Sequence, residues 1–144
     1  MTKSDKIQLL TWRLGDQLFG AEIEYCLEVQ KDLTILKVPH SKDYISGITN
    51  LRGDVVTVIN LNFILGQKKS ITSSKPIIIR FKYNNKQLAI EADSISEVLE
   101  IPVDKLESAN IHLTESELVY ISKVFYTEYG IILVLNIKEL FVIH

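Results

Sequence analysis

Only one cysteine, Cys26, occurs in the 144 residues, so no intrachain disulfide can form and a reducing compartment is expected. Three prolines and six glycines are too few for a collagenous or low-complexity chain. No apolar run reaches the roughly 18 residues that a membrane span needs. The polar Met1–Lys6 segment leads straight into a strand-like stretch without a secretory pattern, so the expectation is a cytoplasmic protein with no direct membrane insertion. A basic excess is missing too: 16 Lys and Arg stand against 18 Asp and Glu, a net charge of −2. The single adjacent basic pair, Lys68-Lys69, lies in a loop-like stretch. Nucleic acid, whose binding replaces counterions with Lys and Arg, is not an expected partner.

Catalytic patterns are equally scarce. His40, His112 and His144 are far apart, and none stands at metal-ligand spacing with Cys26 or a carboxylate; neither metal nor cofactor is expected. There is no nucleophile elbow, phosphate-cradling glycine loop or dinucleotide fingerprint. Glu22 and Glu24 share one strand face if the segment is extended, which reads as a solvated face rather than a carboxylate pair for acid–base work. An enzyme is not expected.

What the chain does have is apolar substance, 47% hydrophobic against 24% charged, arranged in short runs and period-2 alternations with no long 3.6-residue stripe. Ile7–Leu14 and Gln17–Ile23 read as strands about a Gly15-Asp16 turn. Leu27–Lys31 is a further strand, and Ser41–Tyr44 after Pro39 reads as one helical turn. Ile48–Leu51 and Val55–Ile59 flank Arg52-Gly53-Asp54, which is turn chemistry. Asn62–Leu65 reads as a short helix ending at Gly66, and Gln67–Pro76 as a linker. Strands are then expected at Ile77–Tyr83, Gln87–Ala92, Ser96–Ile101, Leu118–Tyr126 and Ile131–Leu135, with a closing helical turn at Ile137–Phe141.

The second half repeats the first. A shift of 69 positions lays Phe19–Val29 on Leu88–Val98, matching Glu22 with Glu91, Glu28 with Glu97 and Val29 with Val98. A shift of 76 lays Val58–Leu65 on Val134–Phe141, matching Asn60 with Asn136. The expected fold is all-β: two pseudo-repeated five-stranded small barrels of SH3-like type around a shared hydrophobic core, with short helical turns. One domain over residues 1–144 is expected, with a first barrel over about 18–70, a second over about 71–144, and the N-terminal strands at 7–17 available to complete the second.

Gly47 to Leu61 is the most specific segment. Gly47, Asn50, Leu51, Arg52, Gly53, Val55, Val56, Val58, Ile59 and Leu61 fill matching places in the signature of the CheW-like domain, which this chain resembles from about Ile7 to Phe141. Departures are Thr57 for a usual proline, Asn60 for a usual aspartate, Ala89 for a common glycine, Ala92 for a common valine, and Ser122-Lys123 where the second half usually has a glycine. The resemblance implies a fold of two five-stranded barrels and no catalytic activity. It also implies an adaptor role, bridging the cytoplasmic tip of a chemoreceptor coiled coil and the regulatory domain of the histidine kinase CheA, with recruitment to membrane-associated arrays. A chain of this length matches the free coupler. The alternative class is a small barrel that binds oligonucleotides or other ligands, opposed by the acidic balance and by the lack of aromatics interleaved with Lys or Arg.

The resemblance also singles out residues. Arg52, otherwise a solvated turn arginine, is implied to pair with Glu28 and to organise a partner-binding surface together with Asn50. Gly47 and Gly53 are implied structural positions, where φ is positive or chains approach closely. Val29, Ile48 and Val98 read by default as core, with the competing reading that they line a groove accepting a receptor helix. Cys26 reads as a small buried filler with nothing cationic beside it, Trp12 and Phe19 as anchors of the first hairpin, and Tyr44 and Tyr129 as exposed aromatics suited to an interface.

Overall fold

A computed structural model describes residues 5–66, 75–109 and 113–143. Most of the expected linker, with Lys68-Lys69, and both His112 and His144 lie outside the described residues. Eleven strands and three short helices follow in chain order: β1 (Lys6–Leu14), β2 (Gln17–Glu22), β3 (Cys26–Gln30), β4 (Ile45–Leu51), β5 (Asp54–Ile59), α1 (Leu61–Ile64), β6 (Ile77–Tyr83), β7 (Lys86–Ala92), β8 (Ser94–Pro102), β9 (Glu107–Ser108), α2 (Glu115–Tyr120), β10 (Ile121–Thr127), β11 (Gly130–Leu135) and α3 (Ile137–Leu140).

These strands make a five-stranded sheet of order β3-β6-β7-β5-β4 and a six-stranded sheet of order β8-β1-β2-β11-β10-β9, the sixth member being the two-residue β9. The orders superpose term by term, β3 on β8, β6 on β1, β7 on β2, β5 on β11 and β4 on β10. Each sheet has its one parallel contact at the same place, β5 with β7 and β11 with β2. The all-β class with two repeated units and short helical turns is therefore the observed one.

The expected division near residue 70 does not describe the strand partners. The hairpin β6–β7, assigned to the second barrel, pairs with β3 and β5, while the whole hairpin β1–β2 pairs with β8 and β11. The five-stranded sheet is thus drawn from one stretch, 26–92, and is called here the nested sheet. The flanking sheet is assembled from residues on either side of it. The cause is reciprocal: the strand after each hairpin leaves its own sheet and becomes the edge of the other. Sequence periodicity reports which faces are buried and carries no information on which sheet a strand joins.

Alternation along each strand serves three apolar clusters. Trp12, Phe19, Ile79, Phe81, Leu88, Ile90, Ile121 and Leu133 belong to a central core drawn from both sheets. Their strand neighbours Leu9, Leu18, Ile132 and Val134 form a second cluster within the flanking sheet. Val58, Ile78 and Ala89 form a third, with Leu51 and Val56, within the nested sheet. Strands buried on both faces explain the unbroken runs Ile77-Ile78-Ile79 and Ile131–Leu135. Trp12 is fully buried and stacks on Phe19 with ring centroids 6.1 Å apart. Burying each such ring contributes about 1.5–3 kcal/mol, so both act as the expected anchors.

Three local expectations need correction. Leu118–Tyr120 is helical rather than extended, because Thr114 and Glu117 form a reciprocal capping box: the Thr114 hydroxyl accepts from Glu117 N at 3.3 Å, and Thr114 N donates to Glu117 Oε1 at 3.0 Å. That box fixes an α-turn ahead of β10 despite the β-prone Leu-Val-Tyr-Ile stretch. Ser41–Tyr44 holds one turn, at Asp43-Tyr44, and no helix. Glu24 sits in a 3-10 turn over Ile23–Tyr25, so it does not share a strand face with Glu22.

Candidate interaction site

The β4–β5 hairpin turns on Arg52-Gly53, with φ of 53° and 90°. Two successive positive φ values suit the right-handed twist of the strands they join. Glycine adopts them freely, whereas arginine does so at a cost of about 1 kcal/mol. Two contacts offset that cost. Asn50 Oδ1 accepts from Gly53 N at 2.9 Å, and Arg52 Nε donates to Glu28 Oε2 at 2.9 Å from the adjoining edge strand β3. Structure therefore brings Arg52, Glu28, Asn50 and Gly53 together. The pair is a single hydrogen bond, and it is uneven: the Arg52 side chain is 72% exposed and that of Glu28 only 16%.

Gly47 lies on the same strand as Asn50, at φ 152°. A Cβ there would stand 2.2 Å from the Leu36 carbonyl oxygen. This close approach exists because the segment before β4 lies along it: Leu36 N donates to Ile48 O, and Ile48 N to Leu36 O, each at 2.8 Å. Ile48 is half-buried beneath that segment.

Val29 and Val98 depart from the default core reading, being 38% and 50% exposed. Both sit on edge strands, β3 and β8, at positions related by the internal repeat. Along β3 the exposed Leu27 and Val29 alternate with the half-buried Cys26, Glu28 and Gln30, so they share its outer face. Val98 belongs to the flanking sheet and is not part of the Arg52 cluster. Tyr129 is exposed as expected, whereas Tyr44 is half-buried against the central core with Lys42 Nζ 5.9 Å from its ring centroid. Cys26 is half-buried, and burial pushes its thiol up to about 12, which keeps it protonated at neutral pH.

Sequence reasoning missed Arg80. Its side chain is 6% exposed, and its guanidinium lies behind the turn. Nη2 donates to Asp54 Oδ2 at 2.6 Å, and Nε to Gln87 Oε1 at 2.8 Å, with Nη2 also on Gln87 Oε1. Nη1 reaches the Leu51 carbonyl at 3.4 Å and stands 3.7 Å from Glu28 Oε1. The available signal was a charge inside the apolar run Ile77-Ile78-Ile79-Arg80-Phe81, since a strand buried on both faces can hold arginine only where it is paired.

A groove of about 530 Å³ opens beside β4, with Ser46, Asn60 and the buried Glu91 in its wall. Ser46 Oγ donates to Glu91 Oε1, while burial raises the Glu91 carboxyl above its ordinary range. A second groove of about 370 Å³ is walled by Glu22, Ser122 and Asn136, the repeat-related residues of the same three positions. Glu22 is raised as well, by burial first and by Glu24 next, with Lys138 opposing. Asn60 caps α1, its Oδ1 accepting from Asn62 N at 3.0 Å. An asparagine and an aspartate cap equally well, so that departure from the signature leaves local structure intact.

The chain is thus a pair of small β-units that exchange edge strands, one of them carrying an exposed arginine turn. The model of the CheW-like domain matches residues 8–143, and the chain belongs to that family. A probable chemotaxis protein CheW of Rhizobium etli is 31% identical over 94 residues, covering 65% of this chain and 61% of that protein. The chemotaxis protein CheW of Treponema pallidum is 26% identical over 141 residues, covering 95% of this chain and 83% of its own length. The crystal structure of scaffolding protein TtCheW from Thermoanaerobacter tengcongensis superposes with a TM-score of 0.80 at 26% identity, covering 92% of this chain and 90% of that one.

Proposed function

We propose that this chain is a non-enzymatic chemotaxis adaptor that couples the cytoplasmic tip of a chemoreceptor to the regulatory domain of the histidine kinase CheA. In this reading it works in the cytoplasm, recruited to membrane-associated receptor arrays, binds no nucleic acid and does not itself insert into the membrane. No helix among the described residues is long and apolar enough to cross a membrane. The observation that carries the reading is the Arg52 turn. A cation held in a positive-φ turn and paired with Glu28, with Leu27 and Val29 exposed on the same edge strand as Glu28, has the residue types of an interface: apolar surface for a helix to cover and an arginine to fix its register.

Purified protein titrated with a receptor cytoplasmic fragment, with the CheA regulatory domain, and with both tests it directly; a ternary complex is the expected result. Arg52→Ala lowers affinity for the receptor fragment about tenfold, the scale of a contact that matters in an interface. The same change lowers stability by less than about 1 kcal/mol, because the arginine is mostly exposed. Unchanged receptor affinity in that variant would remove Arg52 from the contact surface.

A further inference from the structure

The Arg80 side chain is 6% exposed, yet it touches both flanks of the Arg52 turn and the carboxylate with which Arg52 pairs. Its acceptors come from both ends of that turn, the Leu51 carbonyl and the Asp54 carboxylate, and from β7 through Gln87. It also faces the oxygen of Glu28 that Arg52 does not use. Glu28 Oε1 is buried with no hydrogen-bond donor, so the neighbouring guanidinium supplies the positive charge that keeps this carboxylate folded inward. Two cations, Arg52 and Arg80, thus alternate with two carboxylates, Glu28 and Asp54.

A sheet-stabilising arginine would be the plainer account, and the internal repeat provides a control for it. The position equivalent to Arg80 on β1 is Thr11, which is buried and donates its hydroxyl to the Glu97 carbonyl on β8. The flanking sheet has the same strand order with no guanidinium there. Its corresponding turn, Thr127–Gly130, closes on itself, Thr127 Oγ1 donating to Gly130 O at 2.7 Å and accepting from Tyr129 N at 3.1 Å. The architecture therefore does not require an arginine at this place, whereas in the nested sheet the guanidinium joins both flanks of the Arg52 turn to Gln87 on β7.

We propose that Arg80 is a positioning residue for partner binding: from inside the nested sheet it holds Glu28 and both flanks of the turn, and through Glu28 it fixes the direction in which Arg52 is presented. This rests on the reading of the Arg52 turn as a contact surface. Lysine at position 80 keeps the charge and loses the planar fork that several acceptors share, so Arg80→Lys is the informative change.

The experiment follows the Arg52 Nε–H resonance and its hydrogen exchange in the free full-length protein, alongside titration with a receptor cytoplasmic fragment. In Arg80→Lys the protected Arg52 Nε–H signal is lost and affinity falls about tenfold, and adding Arg52→Ala then changes affinity less than about twofold, the signature of coupled residues. Ile78→Val, a core change elsewhere in the same strand, alters neither readout. An unchanged Arg52 Nε–H signal in folded Arg80→Lys, or losses that simply multiply in the double variant, overturns the proposal. Should Arg80→Lys not fold, the surface pair Asp54→Ala with Gln87→Ala removes two anchors of Arg80 without touching the core, and the same outcomes apply. Loss of the Arg52 signal with wild-type affinity in every variant, Arg52→Ala included, supports the positioning role and instead overturns the receptor surface.

Discussion

The β4–β5 turn and the β10–β11 turn stand at equivalent corners of two sheets with one strand order, and they are held in different ways. The first is tied inward: Arg52 to Glu28, Leu51 and Asp54 to Arg80. The second is closed locally by Thr127, and its Tyr129 is 79% exposed. Close behind, Gly47 is pressed by the Leu36 backbone, while the equivalent Lys123 pairs with β9 and keeps its side chain in solvent. The apolar frame of the repeat is shared, and the chemistry at its corners is not. A frame specified by packing leaves each corner free to diverge.

The sharpest way to break the comparison is to delete the inner cation on one side and its counterpart on the other. Arg80→Met lowers unfolding stability by about 3–4 kcal/mol, toward the lower end for a halved buried ion pair because Asp54 can return to water; Thr11→Val costs only about 1 kcal/mol, one neutral hydrogen bond. Urea unfolding of the two variants measures the gap, and equal losses would mean that the two sides are held alike. Next comes the close approach. Gly47→Ala costs about 2–3 kcal/mol, since a Cβ meets the Leu36 carbonyl at a positive φ, whereas Lys123→Ala stays within about 0.5 kcal/mol; thermal melts of both decide it.

The smallest effect is one of pH. Burial raises the Glu91 carboxyl above its ordinary 4.5, with the Ser46 hydrogen bond lowering it and Asp93 raising it. A carboxyl whose folded value lies above its unfolded one binds its proton more tightly in the folded state. Its stabilisation is full below pH 4.5 and is lost as pH rises through the raised value. Glu91→Gln flattens that part of the stability–pH curve, and Glu22→Gln does so less because Glu22 is half-exposed. A curve unchanged by Glu91→Gln would show that the carboxyl is not desolvated.

Much of the frame was legible in the residues. The strand expected over Ile77–Tyr83 matches β6 to the residue, and turn chemistry marks the hairpins at Gly15-Asp16 and Arg52-Gly53. The exchange of β3 and β8 was not legible, because two sheets with matching apolar strands offer each strand two equivalent edges. The Arg52–Glu28 pair came from the family resemblance, since nothing local connects residues in separate hairpins. Val29 and Val98 were misread as core because an edge strand has the same alternation as a central one and lacks only the layer above it. Arg80 was passed over as one cation among many, although its setting among isoleucines was the cue.

The exchanged edges also bear on how the chain is made. Residues leave a ribosome in order, so the β1–β2 hairpin emerges first, carrying Trp12 and Phe19, while its neighbours β8 and β11 come last. A lone hairpin is marginal in water. The nested sheet, complete at residue 92, is the first unit able to close, and Ile79, Phe81, Leu88 and Ile90 give the waiting aromatics an apolar bed. The flanking sheet is thus completed on both sides of a nested sheet whose residues have already been made, so a defect in the nested sheet is inherited by the strands synthesised after it.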